Sequence, residues 1–482
     1  MNKLFSPVLY ICGMITMIMA GLMLIPALYA FIYQQPELYD FIFSALVTAL
    51  VGLIMISLFN VPQIALSPRQ LYLLTGSSWL VLSLSSALPF IFSHHPMSLT
   101  NAVFEAVSGV TTTGSTVMTN LQSIPKPILL WRSLLQWIGG LGVIGMAVTV
   151  LPFLRIGGMK LFQTESSDWS EKTIPRFQQF AKMLLAVYLA FTLLCAFCYW
   201  LAGMNSFDAI NHAMTTISTG GYATDDRSMA RFGSAVLWIS VVFMLLSGVP
   251  FILYIRVLVQ RSLARLWDQQ VIAFLAITLL TSLLLACQLI ISRDMPAGEA
   301  ITHSTFNIVS IITTTGFASA DYTLWGEFSV ALFFLASFVG GCSGSTTGGM
   351  KIFRFQLSYL YLRDQLRKLV HPRGVFAIRY NTKLVEHDII ASAAAFSFMF
   401  FVSFGSVTLL LTALGLDFHT SISGAITALA NVGPGLGDII GPSGNFATLP
   451  DAAKWILSAA MILGRLELFT VIILFSPVFW RG

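Results

Sequence analysis

The sequence predicts an all-α polytopic membrane protein with ten transmembrane helices and four re-entrant pore helices, arranged as four span, pore-helix, span repeats around one pore. Its composition, its long apolar runs and an internal repeat support this fold class. The 482 residues are 56% hydrophobic and only 10% charged, with a mean hydropathy of +0.81. Because a soluble domain has roughly 25% charged residues, this composition excludes a soluble globular protein and makes the bilayer the solvent.

Ten apolar runs are long enough to cross a bilayer, which takes about 20 residues. The first run is longer than the apolar region of a signal peptide, about 7 to 15 residues, so we expect it to stay in the mature protein. The predicted spans are 8–33, 41–60, 71–93, 128–154, 180–202, 234–258, 270–292, 328–362, 388–415 and 452–478. Only the eighth is expected to be broken.

Lysine and arginine residues set the predicted orientation. Nineteen of the 26 fall on one side of the alternating loops, and the positive-inside rule assigns that side to the cytoplasm. Both termini are therefore expected in the cytoplasm. Arg132 is placed on the outer side, and Arg465 is the one basic residue placed deep inside a span. The five cysteines are odd in number and lie in apolar segments, so no disulfide framework is expected.

A fourfold repeat occurs on the outer side of the predicted spans. Four apolar segments, too short to cross the bilayer, each extend twelve residues from a small residue to a glycine. A hydroxyl stands six residues before that glycine, and a small polar residue stands two before it. The segments are 102–114, 209–221, 304–316 and 421–433. Their glycines are 107, 95 and 117 residues apart, so the chain from about residue 70 reads as four repeats.

Four such turns around one axis would line a pore, because non-helical backbone at membrane depth is tolerated only inside protein or beside a watery cavity. Backbone carbonyls in turns rich in Thr, Ser and Gly can replace the hydration shell of a cation. The C-terminal ends of the short helices would add negative potential. No Asp or Glu falls within the four turns, so a carboxylate filter of the calcium type is not expected.

These motifs resemble the Trk/Ktr/HKT superfamily of potassium transporters, and most closely the TrkH/TrkG-type membrane subunit of bacterial Trk systems. The motifs are VTTTG (110–114), ISTGGY (217–222), ITTTGF (312–317), ANVGPGLG (430–437), GGCSGSTTGG (340–349) and GRLE (464–467). The resemblance covers essentially the whole chain. It implies potassium uptake across the bacterial inner membrane, with K+ as the transported ion, no covalent cofactor and no enzymatic activity.

The resemblance also implies a single-file selectivity filter in which backbone carbonyls bind K+. The second turn is ambiguous because Gly220 and Gly221 are adjacent. We choose Gly221 because its twelve-residue spacing and following aromatic residue match Gly316. The implied filter residues are Val110, Thr111, Thr112, Thr113, Gly114, Ile217, Ser218, Thr219, Gly220, Gly221, Ile312, Thr313, Thr314, Thr315, Gly316, Leu429, Ala430, Asn431, Val432 and Gly433.

The eighth span contains five glycines and no large side chain over residues 340–349. Such a segment cannot hold a straight helix well, so its backbone is predicted to face the pore. A close helix-packing interface of small residues is the alternative. In the resembled family this segment is a gating loop, and a buried arginine, here Arg465, lies near it in the pore. The alternative role for Arg465 is an ion pair with Glu467. The implied gate residues are Gly340, Gly341, Cys342, Ser343, Gly344, Ser345, Thr346, Thr347, Gly348, Gly349 and Arg465.

The stretch 351–383 carries eight Lys or Arg residues against Asp364 alone, which is typical of lipid headgroup contact or of partner docking. The resemblance implies a ring of cytosolic nucleotide-binding subunits of the TrkA type, and a homodimer. The chain has no phosphate-binding motif, so it is not expected to bind a nucleotide itself, and no nucleic-acid partner is expected. The expected units are 1–66 with two N-terminal spans and the pore repeats 67–158, 159–265, 266–370 and 371–482.

Two other functions are alternatives to a gated cation pathway. The pattern Gly341-Cys342-Ser343-Gly344 matches an intramembrane serine protease, but no histidine is well placed as a base. A proton- or sodium-coupled secondary carrier would show two related halves with paired broken spans, whereas one broken span is expected here. Glu105 and His212, nine residues before their glycines, are expected to be local hydrogen-bonding groups rather than ion ligands.

Overall fold

Long apolar helices make up most of the chain in the computed structural model, which describes residues 2–61, 66–149, 174–374, 376–381 and 383–481. Within those ranges seven continuous helices are long and apolar enough to cross a membrane. They are α1 (Asn2–Ile32), α2 (Glu37–Leu58), α3 (Pro68–Ile91), α5 (Lys126–Thr149), α6 (Ile174–Leu201), α10 (Gln269–Arg293) and α14 (His387–Ala413).

The helical membrane fold is therefore confirmed, while the arrangement of ten spans and four pore helices in four repeats stays a prediction. The end of the predicted span 128–154 and the boundary between the units 67–158 and 159–265 fall outside the described residues.

Four short helices alternate with the long ones along the chain. They are α4 (Leu99–Val110), α7 (Ser206–Ile217), α11 (Ala297–Ile312) and α15 (Phe418–Ala430). The side chains of Ser98, Asn205 and Asp417 each accept a hydrogen bond from the backbone N–H three residues later, and so cap α4, α7 and α15. Such caps satisfy backbone donors that the first turn of a helix leaves free. Three of the four short helices therefore begin where the sequence places a capping side chain, whereas α11 follows Pro296 without a side-chain cap.

Two further spans are bent, so the prediction that only the eighth span is broken is wrong. Helix α8 (Ser234–Ser247) meets α9 (Phe251–Gln260) at 83°, and α16 (Asp451–Arg465) meets the segment Leu468–Phe475, which begins with α17 (Leu468–Ile472), at 112°. The first bend contains Pro250, which has no N–H to continue the helix. At the second bend Glu467 has a φ of +60°, a left-handed conformation that ends a helix.

The predicted eighth span consists of α12 (Glu327–Ala336) and α13 (Ile352–Val370), and residues 337–351 between them are not helical. Backbone hydrogen bonds close the neck of this segment. The N–H of Gly340 donates to the carbonyl of Met350 at 2.9 Å, and the N–H of Met350 donates to the carbonyl of Phe338 at 3.2 Å. These bonds hold the two ends of the non-helical segment together. Residues 340–349 therefore form a closed loop, hereafter the intramembrane loop.

A small ribbon is the one two-stranded sheet among the described residues. Strands β1 (Arg379–Tyr380) and β2 (Lys383–Leu384) pair antiparallel before α14. The hydroxyl of Tyr380 donates to Oε1 of Gln356 at 2.8 Å, and Nε2 of Gln356 donates to the carbonyl of Gln269 at 2.9 Å. The ribbon is thereby tied to α13 and to the start of α10.

The last described helix, α18, spans Pro477–Arg481.

A histidine in the loop after α3 is expected to make stability depend on pH. The ring Nδ1 of His94 lies 2.8 Å from Oδ2 of Asp40, in the first turn of α2. The hydrogen bond and the negative charge of Asp40 raise the pKa of His94 above its ordinary value of 6.5. Because the folded-state pKa is the higher one, the interaction stabilises the fold below the ordinary pKa, and this stabilisation is lost as pH rises through the folded value.

We expect the melting temperature of the chain in detergent to fall more between about pH 5.5 and about pH 8.5 than that of His94→Gln. The difference is expected to be small because the His94 side chain is half exposed and its charge is screened by water. Identical pH profiles of the two proteins would show that this contact contributes nothing to stability.

Candidate functional site

The backbone repeats one unusual conformation after each short helix. In every repeat a glycine and the residue two positions before it have positive φ. The residues are Thr112 (52°), Gly114 (88°), Thr219 (52°), Gly221 (78°), Thr314 (54°), Gly316 (80°), Asn431 (54°) and Gly433 (111°). Gly220 does not have positive φ, so the pattern falls on Gly221. A β-branched residue at positive φ is strained, and such strain is concentrated at functional sites.

The four glycines lie against one another in a closed ring. A β-carbon added to each glycine would meet the carbonyl oxygen that precedes the glycine of the next repeat. The distances are 2.3 Å from Gly114 to Gly220, 1.9 Å from Gly221 to Thr315, 2.1 Å from Gly316 to Val432 and 2.7 Å from Gly433 to Thr113. The cycle runs from the first repeat to the fourth and back to the first. The chain thus brings its four sequence-predicted turns together around one axis.

Two hydrogen bonds from side chains tie the first and fourth strands of this ring together. Nδ2 of Asn431 donates to Oγ1 of Thr113 at 2.9 Å, and Oγ of Ser115 donates to the carbonyl of Gly433 at 2.8 Å. Oγ1 of Thr112 and Oδ1 of Asn431, at equivalent positions, are buried without a partner among the described residues. Buried polar atoms usually have a partner, so these two oxygens are suited to a bound water molecule.

The short helices end at the ring. Helices α4, α7, α11 and α15 stop at the first or second residue of their strands, so their C-terminal ends adjoin the glycines. A helix C-terminus carries a partial negative charge of about half an electron. Four such ends favour a cation at the centre of the ring, without an acidic side chain in the strands.

The intramembrane loop lies directly against three of the four strands. The N–H of Gly348 donates to Oγ1 of Thr314 at 2.7 Å, and Oγ1 of Thr346 donates to the carbonyl of Ile217 at 3.2 Å. A β-carbon on Gly348 would be 2.3 Å from the carbonyl oxygen of Ala430. The predicted gate residues are therefore in contact with predicted filter residues of the second, third and fourth repeats.

The same loop supplies hydrogen-bond partners to the bend between α8 and α9. The N–H of Cys342 donates to the carbonyl of Gly248 at 3.0 Å, and the N–H of Phe251 donates to the carbonyl of Gly344 at 3.1 Å. A broken helix leaves such groups without intrahelical partners. The loop and the bend therefore satisfy each other's backbone N–H and carbonyl groups, as irregular backbone inside a membrane requires.

Arg465 is the last residue of α16 and its side chain is buried. Its Nη1 donates to the carbonyl of Thr346 at 3.0 Å, while Nε and Nη2 have no partner among the described residues. Glu467 instead accepts a hydrogen bond from Nη2 of Arg354. The ion pair between Arg465 and Glu467, considered as an alternative from the sequence, is thus not formed. The guanidinium faces the loop with unused donors.

A second basic group lies beside Arg465, where the sequence assigned a cytoplasmic residue. Nζ of Lys351 donates to the carbonyl and to Oγ1 of Thr347, the second at 3.0 Å. Lys351, Arg465 and Glu467 line one cavity with residues of the loop. Lys351 and the buried Arg354 therefore do not belong to the exposed basic surface. The exposed arginines of the stretch 351–383 are Arg363, Arg367, Arg373 and Arg379.

Arg132 corrects another sequence prediction. The charge pattern assigns it to a loop on the outer side. Arg132 is instead buried in α5, where its Nε lies 2.7 Å from Oε1 of Glu105. A single arginine early in an apolar run looks like a loop residue unless the acid that pairs with it is known, and that acid lies 27 residues away.

The polar residues nine positions before the glycines make local hydrogen bonds. Oε2 of Glu105 accepts from the N–H of Val117 at 2.9 Å, and Oδ1 of Asn307 accepts from the N–H of Ser319 at 3.1 Å. Both bonds join a short helix to the chain three residues beyond its glycine. His212 contacts the carbonyl of Asp208 through Nδ1 at 2.9 Å. These contacts are those of structural groups rather than of ion ligands.

A model of the TrkH family, described as "Cation transport protein", matches residues 40–481. "Trk system potassium uptake protein TrkI" of Halomonas elongata is 48% identical, over 99% of this chain and 97% of that protein. "Trk system potassium uptake protein TrkH" of Escherichia coli K12 is 36% identical, over 99% of both chains. The crystal structure of the potassium transporter TrkH from Vibrio parahaemolyticus superposes with a TM-score of 0.92 at 35% identity, covering 99% of this chain and 100% of that one.

Proposed function

Because this chain belongs to the TrkH family of cation transport proteins, we propose that it takes up potassium through the ring formed by Gly114, Gly221, Gly316 and Gly433. The chain is an integral membrane protein of the bacterial inner membrane. The closed cycle of glycine-to-carbonyl contacts is the observation that carries the proposal. Relatives over nearly the whole length are named potassium uptake proteins, which supports K+ as the ion.

The proposed filter consists of the five residues that end at each glycine, with their backbone carbonyls as ligands. A carbonyl ring replaces the water around a cation and selects through the number, spacing and dipole strength of its oxygens. The C-terminal ends of α4, α7, α11 and α15 add to the attraction for a cation. The strained threonines are understood as the cost of holding that backbone shape.

We further propose that the intramembrane loop and Arg465 close the pathway on the cytoplasmic side of the filter. Hydrogen bonds from the loop to Thr314 and Ile217 support this position of the loop beside the strands. The guanidinium of Arg465 sets a positive charge next to the loop, and a buried charge of the same sign opposes cation passage. Opening then requires two hydrogen bonds to break. One joins Gly348 of the loop to Thr314, and the other joins Arg465 to the carbonyl of Thr346.

Control from the cytoplasm is proposed for the exposed arginines of the stretch 351–383. The name "Trk system" of the relatives implies a partner subunit. We infer that a ring of nucleotide-binding subunits of the TrkA type docks against Arg363, Arg367, Arg373 and Arg379. The proposal also includes a homodimer with both termini of each chain in the cytoplasm. It divides the chain into the units 1–66, 67–158, 159–265, 266–370 and 371–482.

A coupled carrier is the second candidate, and the bent spans favour it. Broken helices at mid-membrane depth are typical of carriers with alternating access. The described residues contain the non-helical segment 337–351 and two spans bent by 83° and 112°. The number of broken spans therefore does not separate a channel from a carrier. The fourfold ring still favours a filter, because a carrier site is built between two halves.

Cation flux into liposomes that contain the purified chain alone tests both functions. We expect passive flux under imposed gradients at controlled pH, with K+ and Rb+ preferred over Na+ and Li+, because the ring binds bare cations through carbonyls. Uphill K+ flux that appears only with a proton or sodium gradient would establish the carrier instead. Absence of K+ flux in either format, with transport of another solute, would exclude both.

A further inference from the structure

A buried ion pair lies behind the ring where the first and second strands meet. Glu105 on α4 and Arg132 on α5 have side chains 0% and 1% exposed, with 2.7 Å between Nε and Oε1. Desolvating two charges is costly, and the attraction between them compensates only when further hydrogen bonds satisfy both groups. The partners of this pair are therefore informative about its role.

The guanidinium of Arg132 contacts the chain beyond both glycines. Nη1 donates to the carbonyl of Ala223 at 3.2 Å, and Nη2 donates to Oγ1 of Thr116 at 3.0 Å. The centre of the guanidinium is 4.1 Å from the ring centre of Tyr222, a cation–π distance. Thr116 follows Gly114, and Tyr222 and Ala223 follow Gly221. One side chain thus holds the outgoing segments of two strands.

Glu105 completes the same connection from the side of the short helix. It accepts from the N–H of Val117 and from the hydroxyl of Thr116, each at 2.9 Å. The hydroxyl of Tyr222 donates to the backbone carbonyl of Glu105, also at 2.9 Å. The first short helix, the first strand and the second strand are therefore joined through one charged pair and one tyrosine.

Gln136, one turn further along α5, brackets the second glycine. Its Nε2 donates to the carbonyl of Gly220 at 2.6 Å, and its Oε1 accepts from the N–H of Tyr222 at 3.0 Å. The carbonyl of Gly220 is the oxygen that faces Gly114 in the ring. The amide therefore fixes a ring carbonyl directly, with no charge of its own.

This arrangement occurs at one seam of the ring among the described residues. The positions equivalent to Glu105 are His212, Asn307 and Gly424. Asn307 bonds to its own repeat through Ser319, and His212 contacts Asp208. In the part of the chain that the structure describes, Glu105 alone among these four pairs with an arginine. The ring is thus held asymmetrically.

We propose that Glu105, Arg132 and Gln136 are positioning residues that fix the first and second strands and thereby set the discrimination between K+ and Na+. The inference rests on the proposed function of the ring as a potassium filter. A carbonyl ring selects through the spacing and dipole strength of its oxygens, and these three side chains fix the Gly220 oxygen and the segments that follow Gly114 and Gly221.

The test compares K+ and Na+ flux in liposomes for three variants of the whole chain. The double variant Glu105→Gln with Arg132→Met removes the clamp and leaves no unpaired charge, so it avoids the penalty of a lone buried ion. Gln136→Met removes both bonds around Gly221. Gln288→Met is the control, because Gln288 lies on α10, outside the ring, and accepts a hydrogen bond from Ser329 at 3.3 Å.

For the double variant and for Gln136→Met we expect the K+/Na+ flux ratio to fall about tenfold, which corresponds to roughly 1.4 kcal/mol of lost discrimination. Gln288→Met is expected to keep the wild-type ratio, and gel filtration and melting temperature check that each variant is folded. Folded Gln136→Met with an unchanged ratio would overturn the inference, even if the double variant failed to fold. A wild-type chain without preference for K+ would instead overturn the proposed function.

Discussion

Replacing Gly316 by valine is expected to reduce K+ flux through the reconstituted chain at least about tenfold, the effect of roughly 1.4 kcal/mol on a rate barrier. The β-carbon of valine would lie 2.1 Å from the carbonyl oxygen of Val432 and 2.9 Å from Cδ of Pro434. The φ of +80° also strains any branched side chain. The valine must therefore displace the fourth strand, and the ring loses its spacing. Flux and the K+/Na+ ratio in liposomes are the measurements.

Gly405→Val is the matched control for this prediction. Gly405 lies within α14, and a β-carbon there would meet no atom within 4 Å. Valine at this position changes composition in the same way without touching the ring. A well-expressed Gly316→Val chain with wild-type flux and wild-type ion preference would remove Gly316 from the pathway.

Replacing Arg465 by alanine is expected to raise K+ flux several-fold in the absence of a partner subunit, the opposite of the effect expected for Gly316→Val. The change removes a buried positive charge next to the intramembrane loop and also the hydrogen bond to the carbonyl of Thr346. Both losses favour opening, because the charge repels cations and the bond holds the loop in place. Initial rates of Rb+ entry into liposomes of equal protein content measure the effect.

Arg293→Ala provides the comparison for Arg465→Ala. Nε of Arg293 also donates to a backbone carbonyl, that of Trp325 at 3.2 Å, but at the end of α10 and away from the loop. This variant is expected to keep wild-type flux. Equal or lower flux in Arg465→Ala than in Arg293→Ala, at equal expression, would count against a closed state held by the arginine.

The turn positions were accessible from the sequence because spacing and chemistry repeat together. A glycine twelve residues after a small residue, with a polar residue two before it, selects positions that share one backbone conformation. The second turn shows the strength of this pattern, since the spacing chooses Gly221 over Gly220 and the positive φ falls on Gly221. Glycine spacing reports backbone shape directly, because only glycine adopts such conformations without strain.

The bends and the buried charges were not accessible in the same way. The runs 234–258 and 452–478 are apolar on both sides of Gly248 and Glu467, so each reads as one straight span. Pro250 is a sequence signal for the first bend, but the bonds that hold both bends are tertiary. The loop donates and accepts bonds at the first bend, and Arg354 pairs with Glu467 at the second. Likewise Arg132 looked like a topology signal, because a sequence shows a charge but not its distant partner, here Glu105.

One chain supplies all four turns of the ring, so the turns differ in sequence, unlike those of four identical subunits. In an assembly of identical subunits a mutation alters every quarter of the axis at once, so a mild change is multiplied fourfold. Here Gly220 is held by an amide, Gly433 accepts from a serine, and Gly316 faces a proline. A substitution in one turn therefore alters one quarter of the ring and leaves the other three quarters unchanged.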